Sequence, residues 1–191
     1  MHPFGFIAAL VLCVFALSGC GGNIIPLSYP TLRDASYGVA ETGATVCIVD
    51  FENKRDGHAV GQRQDGTAIL PRTPVERWLA SGLAEELSRL GHAVTMAETI
   101  QQALAARADY IVSGEAEEVW LAETSLTRYT GTIRVSISLF DSGGGHITRN
   151  GYNSVHSKTV LPVYGVPRTL LDDALVEILR PAANLLHKTM Q

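Results

Sequence analysis

The sequence predicts a single α+β domain behind a cleaved leader, with a mixed sheet of about five strands in the order β-α-β-α-β-β-β-α and helices on one face. Three observations predict it. Apolar residues recur at helical spacing over residues 74–90 and 169–188. They alternate with polar ones over residues 132–140, as in a half-buried strand. The composition, 191 residues of which 46% are hydrophobic and 18% charged, is that of one globular domain. With 15 Lys plus Arg against 19 Asp plus Glu, the net charge of −4 offers no basic face to a polyanion, so nucleic acid is not expected as a partner.

Residues 1–19 contain no Asp, Glu, Lys or Arg, and their apolar run over 4–17 is broken only by Gly5. At about 14 residues it is too short to cross a bilayer as a helix and has the length of a secretory leader core. It ends in Leu17-Ser18-Gly19-Cys20, small residues ahead of a cysteine, which resembles the lipobox of bacterial lipoproteins. That resemblance implies lipid on the Cys20 thiol, cleavage before it and acylation of the new amine; three chains anchor far more firmly than one. The start, Met1-His2-Pro3, lacks the usual Lys or Arg. Gly21, where an Asp would favour the inner membrane, points to the periplasmic face of the outer membrane. Three parts are expected: a signal peptide at 1–19, a lipidated cysteine with a flexible tether at 20–43, and a periplasmic domain at 44–191. Cys13 leaves with the leader and Cys20 carries lipid, so Cys47 is the one remaining thiol, a small hydrophobe inside the apolar stretch 45–49.

The elements follow in order. Residues 21–43, with Pro26 and Pro30 and no clear period, read as a tether of up to about 70 Å when extended. Residues 45–51 form a buried strand, and the charged, Gly-containing segment 52–70 a hairpin or ordered loop. A helix over 74–90 opens with Thr73 as N-cap, Pro74 at the first helical position and Glu76 reaching back, and closes at Gly91. A short strand at 92–96 and a helix at 98–107, with Ile100, Ala103 and Leu104 inward, complete the β-α-β-α half. Residues 109–122, 132–140 and 146–160 then form a meander turning at Asp141-Ser142-Gly143-Gly144-Gly145. The closing helix contains Pro181, which should kink or split it.

Chemistry is sparse. No nucleophile elbow, zinc helix, C-x-x-C, Walker loop or dinucleotide loop is present, so no catalytic residue, cofactor or metal is expected. His58, His92, His146, His156 and His187 read as solvent-exposed; His146 and His156 would share a strand face but lie too far apart for one metal. Glu115 and Glu117 alternate onto one face, as glycosidic acid and base catalysis requires, although such glutamates also simply solvate a strand. Gly143-Gly144-Gly145 offers amides to an anion or forms a flexible loop. The stretch 50–64 is the segment least explained by folding. Its Arg55 and Arg63 offer planar donors to a partner's carboxylate or phosphate; the alternative is a surface hairpin kept soluble by its charges.

Across roughly residues 46–186 the chain resembles the YajG-like periplasmic lipoproteins. The resemblance rests on the lipobox at Cys20, Val49-Asp50-Phe51, the Asp-Gly-x-x-x-Gly-x-Arg stretch 56–63, Val75-Glu76-Arg77-Trp78-Leu79 through Glu86-Leu87, Gly91-His92-Ala93-Val94 and Ala108-Asp109-Tyr110. It implies fold and location and carries no enzymatic activity. The expected function is that of an outer-membrane-anchored periplasmic lipoprotein, held in the membrane through Cys20, that binds an envelope protein partner as a non-catalytic assembly factor. The alternative is a lipid-handling auxiliary subunit of an ABC transport system, which needs an apolar groove for acyl chains.

Overall fold

A computed structural model describes residues 23–29, 43–160, 166–167 and 169–191; the expected leader and Cys20 lie outside them. The described residues form nine strands and three helices. In chain order these are β1 (Ile24–Ile25), β2 (Thr45–Val49), β3 (Glu52–Asn53), β4 (Gly61–Gln62), β5 (Ala68–Pro71), α1 (Val75–Arg89), β6 (Ala93–Ala97), α2 (Ile100–Ala105), β7 (Tyr110–Ser125), β8 (Arg128–Asp141), β9 (His146–Thr159) and α3 (Thr169–Thr189).

The fold is α+β, with a larger sheet than the five strands expected. Strand β7 is its spine. One edge pairs with antiparallel β8 along its length, and β9 follows outside β8. The other edge takes three short parallel partners in succession: β2 against Tyr110 to Val112, β3 against Glu115 and Ala116, and β4 against Leu121 and Ala122. Strand β6 lies outside β2, while β5 and then β1 lie outside β4. The extra strands come from segment 52–70, whose hairpin is β4–β5, and from the tether.

Strand β2 is an unbroken apolar run because both its faces are covered. Val46 and Ile48 enter the main core with the buried faces of α1 and α3, while Cys47 and Val49 join Ala103, Ala108 and Ile111 on the opposite side. The two long helices therefore share one face, and the six-residue α2 covers the other, a departure from helices on one face alone. So short a helix reaches the sheet with one side chain: Ala103 is fully buried, whereas Ile100 and Leu104, expected inward, are 39% and 38% exposed.

Helix α1 starts one residue later than its sequence suggests. Pro74 has ψ 133°, extended rather than helical, so it is the N-cap; its carbonyl accepts the Trp78 N–H at 3.0 Å, and no side chain caps the start. The predicted Thr73 cap is thus displaced. Its end matches expectation: Gly91 has φ +90°, the His92 N–H donates to Leu87 O and the Gly91 N–H to Ser88 O, the paired bonds of a Schellman turn. Helix α3 runs through Pro181 unsplit. Pro181 lies on the exposed face, where water can take the carbonyl its missing N–H would have bonded.

The first described residues belong to the domain, although the sequence reads them as tether. Ile25 and Leu27 are 2% and 5% exposed. The Ser28 N–H and hydroxyl donate to Asp172 on α3, and the Tyr29 hydroxyl donates to Glu86 Oε1 on α1 at 2.6 Å. Glu86, 3% exposed, also pairs with Arg89 and with Arg180. This segment fastens α1 to α3.

Candidate functional site

A cleft of about 840 Å³ lies where β2, β6 and β7 begin and α3 ends. Two glycines let its floor close: a Cβ on Gly43 would stand 2.0 Å from the Gly91 carbonyl oxygen. The Schellman turn at Gly91 delivers His92 into the cleft, and the last turn of α3 delivers His187. Their rings meet edge to face with centroids 5.1 Å apart, and His92 Nε2 is 2.9 Å from His187 Nδ1.

The protons in this contact are fixed by its ends. His92 Nδ1 faces the Ala44 carbonyl at 3.2 Å, and a carbonyl only accepts, so Nδ1 carries the hydrogen. With the ring neutral, Nε2 accepts from His187 Nδ1–H. His187 Nε2 then accepts from the Gln191 side-chain amide at 2.8 Å. A proton added to His92 would oblige His187 to move its own hydrogen to Nε2 and the Gln191 amide to turn its oxygen toward it. Burial, and secondarily the neighbouring His187, hold the His92 pKa below the ordinary imidazole value. The expectation of exposed histidines thus fails at His92, which is 7% exposed. The two residues are 95 positions apart, and no local pattern in the sequence pairs them.

Acidic groups complete the rim without pointing at the rings. The Thr45 N–H and hydroxyl both donate to Asp109 Oδ2, and the Asp109 N–H donates back to Thr45 Oγ1, which locks the start of β2 to that of β7. The Thr45 hydroxyl and N–H hold the Asp109 carboxyl below its usual pKa. Asp141 Oδ1 accepts the Gly143 and Gly145 N–H groups at 2.9 and 2.7 Å, so the anion cradled by the glycine turn is the chain's own carboxylate. Among the described residues, no group of three or more His, Cys, Asp or Glu side chains could hold a metal ion.

The other candidates are dispersed. Arg55 donates to Asn53 Oδ1 at 3.0 Å and to the Ala59 carbonyl at 2.9 Å, and burial holds its pKa below the ordinary value. It lines a cleft of about 390 Å³ with Glu118 and Trp120. Arg63 instead pairs with Glu123 at 3.2 Å, in a different cleft beside Leu126. The structure does not bring the two arginines together. A register shift between Ala116 and Glu118 leaves Glu117 as the bulged residue, without a cross-strand partner on β8. Glu115 pairs with Arg149, and Glu118 with Arg134. A second shift, between Leu139 and Phe140, separates His146 from His156: His146 meets Phe140, and His156 meets Glu177 on α3.

That last contact includes Ser154, whose hydroxyl donates to the same Glu177 oxygen at 2.6 Å. Nucleophilic triads place the imidazole between hydroxyl and acid. Here the carboxylate is in the middle, so His156 has no route to the Ser154 proton.

No protein-family model matches the sequence, and no curated protein matches it. Among solved structures, the chain is similar to a Xanthomonas campestris protein of the family-model DUF330, with a TM-score of 0.62 at 12% identity over 87% of this chain and 95% of that one. It is also similar to PelC from Paraburkholderia phytofirmans, a dodecamer, with a TM-score of 0.53 at 18% identity over 84% of this chain and 93% of that one. At these identities the likeness establishes the fold and does not single out the YajG-like family.

Proposed function

We propose that the chain is a lipoprotein of the YajG-like kind, anchored by acylated Cys20 to the periplasmic face of the outer membrane, that serves as a non-catalytic binding or assembly factor of the cell envelope. The observation that carries this reading is Leu17-Ser18-Gly19-Cys20 directly behind an uncharged apolar run of leader length. The arrangement of Ser154, His156 and Glu177, and the arginines already engaged within the fold, support a protein that holds surfaces in place. PelC, a dodecamer on a similar fold, is a precedent for assembly in many copies. Labelled palmitate enters the wild-type chain and not Cys20→Ser, and outer-membrane fractions hold only the former; equal labelling of both would remove the anchor. For the partner, pull-downs with wild type and with Arg55→Ala plus Arg63→Ala, at matched melting temperature, lose one envelope protein. Identical pull-downs would move the binding surface off these arginines.

A further inference from the structure

We infer that the end of the domain formed by β1, β5 and the β7–β8 turn lies against the phospholipid surface, with Ile24, Leu70 and Leu126 in contact with it. The inference rests on Cys20 being the lipid-bearing residue. Three peptide steps separate Cys20 from Asn23, a reach of about 11 Å when fully extended. Each headgroup layer of a bilayer is roughly 5–8 Å thick, so an acylated Cys20 keeps β1 within about two layers of the membrane. A tether of about 70 Å would have left the domain free to turn; the pairing of Ile24 and Ile25 with Leu70 and Pro71 removes that freedom.

The surface at this end suits a lipid interface. Ile24 and Leu70 stand side by side in parallel register, 52% and 43% exposed, while Ile25 in the same strand is buried. Leu126, at the turn between β7 and β8, is 73% exposed, more than any other large apolar side chain among the described residues. Arg63 links the two places: it donates to Asn23 Oδ1 at 3.4 Å, and its cleft is lined by Leu126. Arg72 and Arg128, both exposed, lie two residues beyond Leu70 and Leu126 respectively. Cations beside half-exposed aliphatic side chains match the phosphate and acyl boundary of a bilayer. The opposite end of β8 is about 45 Å away along the strand. It carries Ser142 and the cleft of His92 and His187, which this placement turns toward the periplasm.

The test uses the full lipidated chain in vesicles of phosphatidylethanolamine and phosphatidylglycerol that contain a headgroup-level nitroxide lipid. A bimane label is placed at Ile24→Cys, Leu126→Cys or Ser142→Cys; Cys47, 1% exposed, does not compete for it. Quenching at positions 24 and 126 is expected to exceed that at 142 by at least about threefold, because only shallow-lying groups meet the nitroxide. Equal quenching at all three positions, in a chain that floats with vesicles while Cys20→Ser does not, would overturn the orientation and leave the anchor standing. A wild-type chain that fails to float would overturn the anchor and the orientation with it.

Discussion

Gly82 lies in the middle of α1, where replacement by Ala ordinarily stabilises a helix by about 1 kcal/mol. The structure predicts the opposite here. A Cβ at Gly82 would stand 2.8 Å from Tyr29 Cδ2 and 2.8 Å from Leu179 Cδ1, closer than carbon atoms pack. Relieving one contact moves a methyl; relieving the other lifts the Tyr29 ring and strains its hydroxyl bond to Glu86. Overpacking of this kind costs about 1–3 kcal/mol, so against the helix gain Gly82→Ala should lose up to about 2 kcal/mol net. That corresponds to a Tm lower by up to roughly 8 °C for a domain of this size. Thermal melts followed by circular dichroism measure it. In a Tyr29→Ala background the ring is gone and only the Leu179 methyl must move, so the same substitution should become neutral or stabilising. A Gly82→Ala chain that melts higher than wild type, or an equal change in both backgrounds, would show that residues 23–29 do not lie across α1.

Three further outcomes follow. His92 has a folded-state pKa below its unfolded value, so the unfolded chain takes up more protons and stability falls as pH drops below about 6.5; urea midpoints from pH 7.5 to 5.5 should fall more steeply for wild type than for His92→Gln. Asp172 acts oppositely in that window: burial raises its pKa to about 6, which favours folding while the carboxyl is protonated and is lost as pH rises through 6. Asp172→Asn should therefore stabilise by about 1 kcal/mol at pH 8, a figure reduced for its partial exposure, and by little at pH 4, as read by denaturant titration. Gly114→Ala would drive a Cβ to 2.4 Å from the Phe51 ring and should lower stability by about 2 kcal/mol in the same titration, with Phe51→Ala in the double variant reducing that increment.

The sequence made its long amphipathic elements legible and hid what depends on a single inserted residue or a distant partner. The alternation of Ile133, Val135, Ile137 and Leu139 holds because β8 itself carries no extra residue over that stretch; the inserted residue opposite it, Glu117, belongs to β7. The period-2 reading failed for His146 with His156, since one extra residue in a strand reverses every side chain beyond it and leaves no compositional mark. The alternation of Ile25, Leu27 and Tyr29 was the available signal for the N-terminal segment, masked by Pro26 and the neighbouring small residues. Helix α2 was legible as a helix but not as a cover for the second face, because that depends on the curl of the sheet over Cys47 and Val49. The contact of His92 with His187 joins the first and last thirds of the domain, beyond the reach of any window.

Strand β7 has a consequence for how the chain acquires its structure. The strands before it pair with one another only as β1–β5, β4–β5 and β2–β6, fragments of two or three short strands. Pieces that small are marginal in water. The hairpins β7–β8 and β8–β9, by contrast, close over short turns and can form at once, whereas β2, β3 and β4 must return across tens of residues to an edge made after them. Synthesis delivers those early strands first, so they stay unpaired until Tyr110 to Ser125 has emerged. Folding of this domain is a late, templated event. A chain stopped before Tyr110 keeps its hydrophobic strands open to proteases and to other chains.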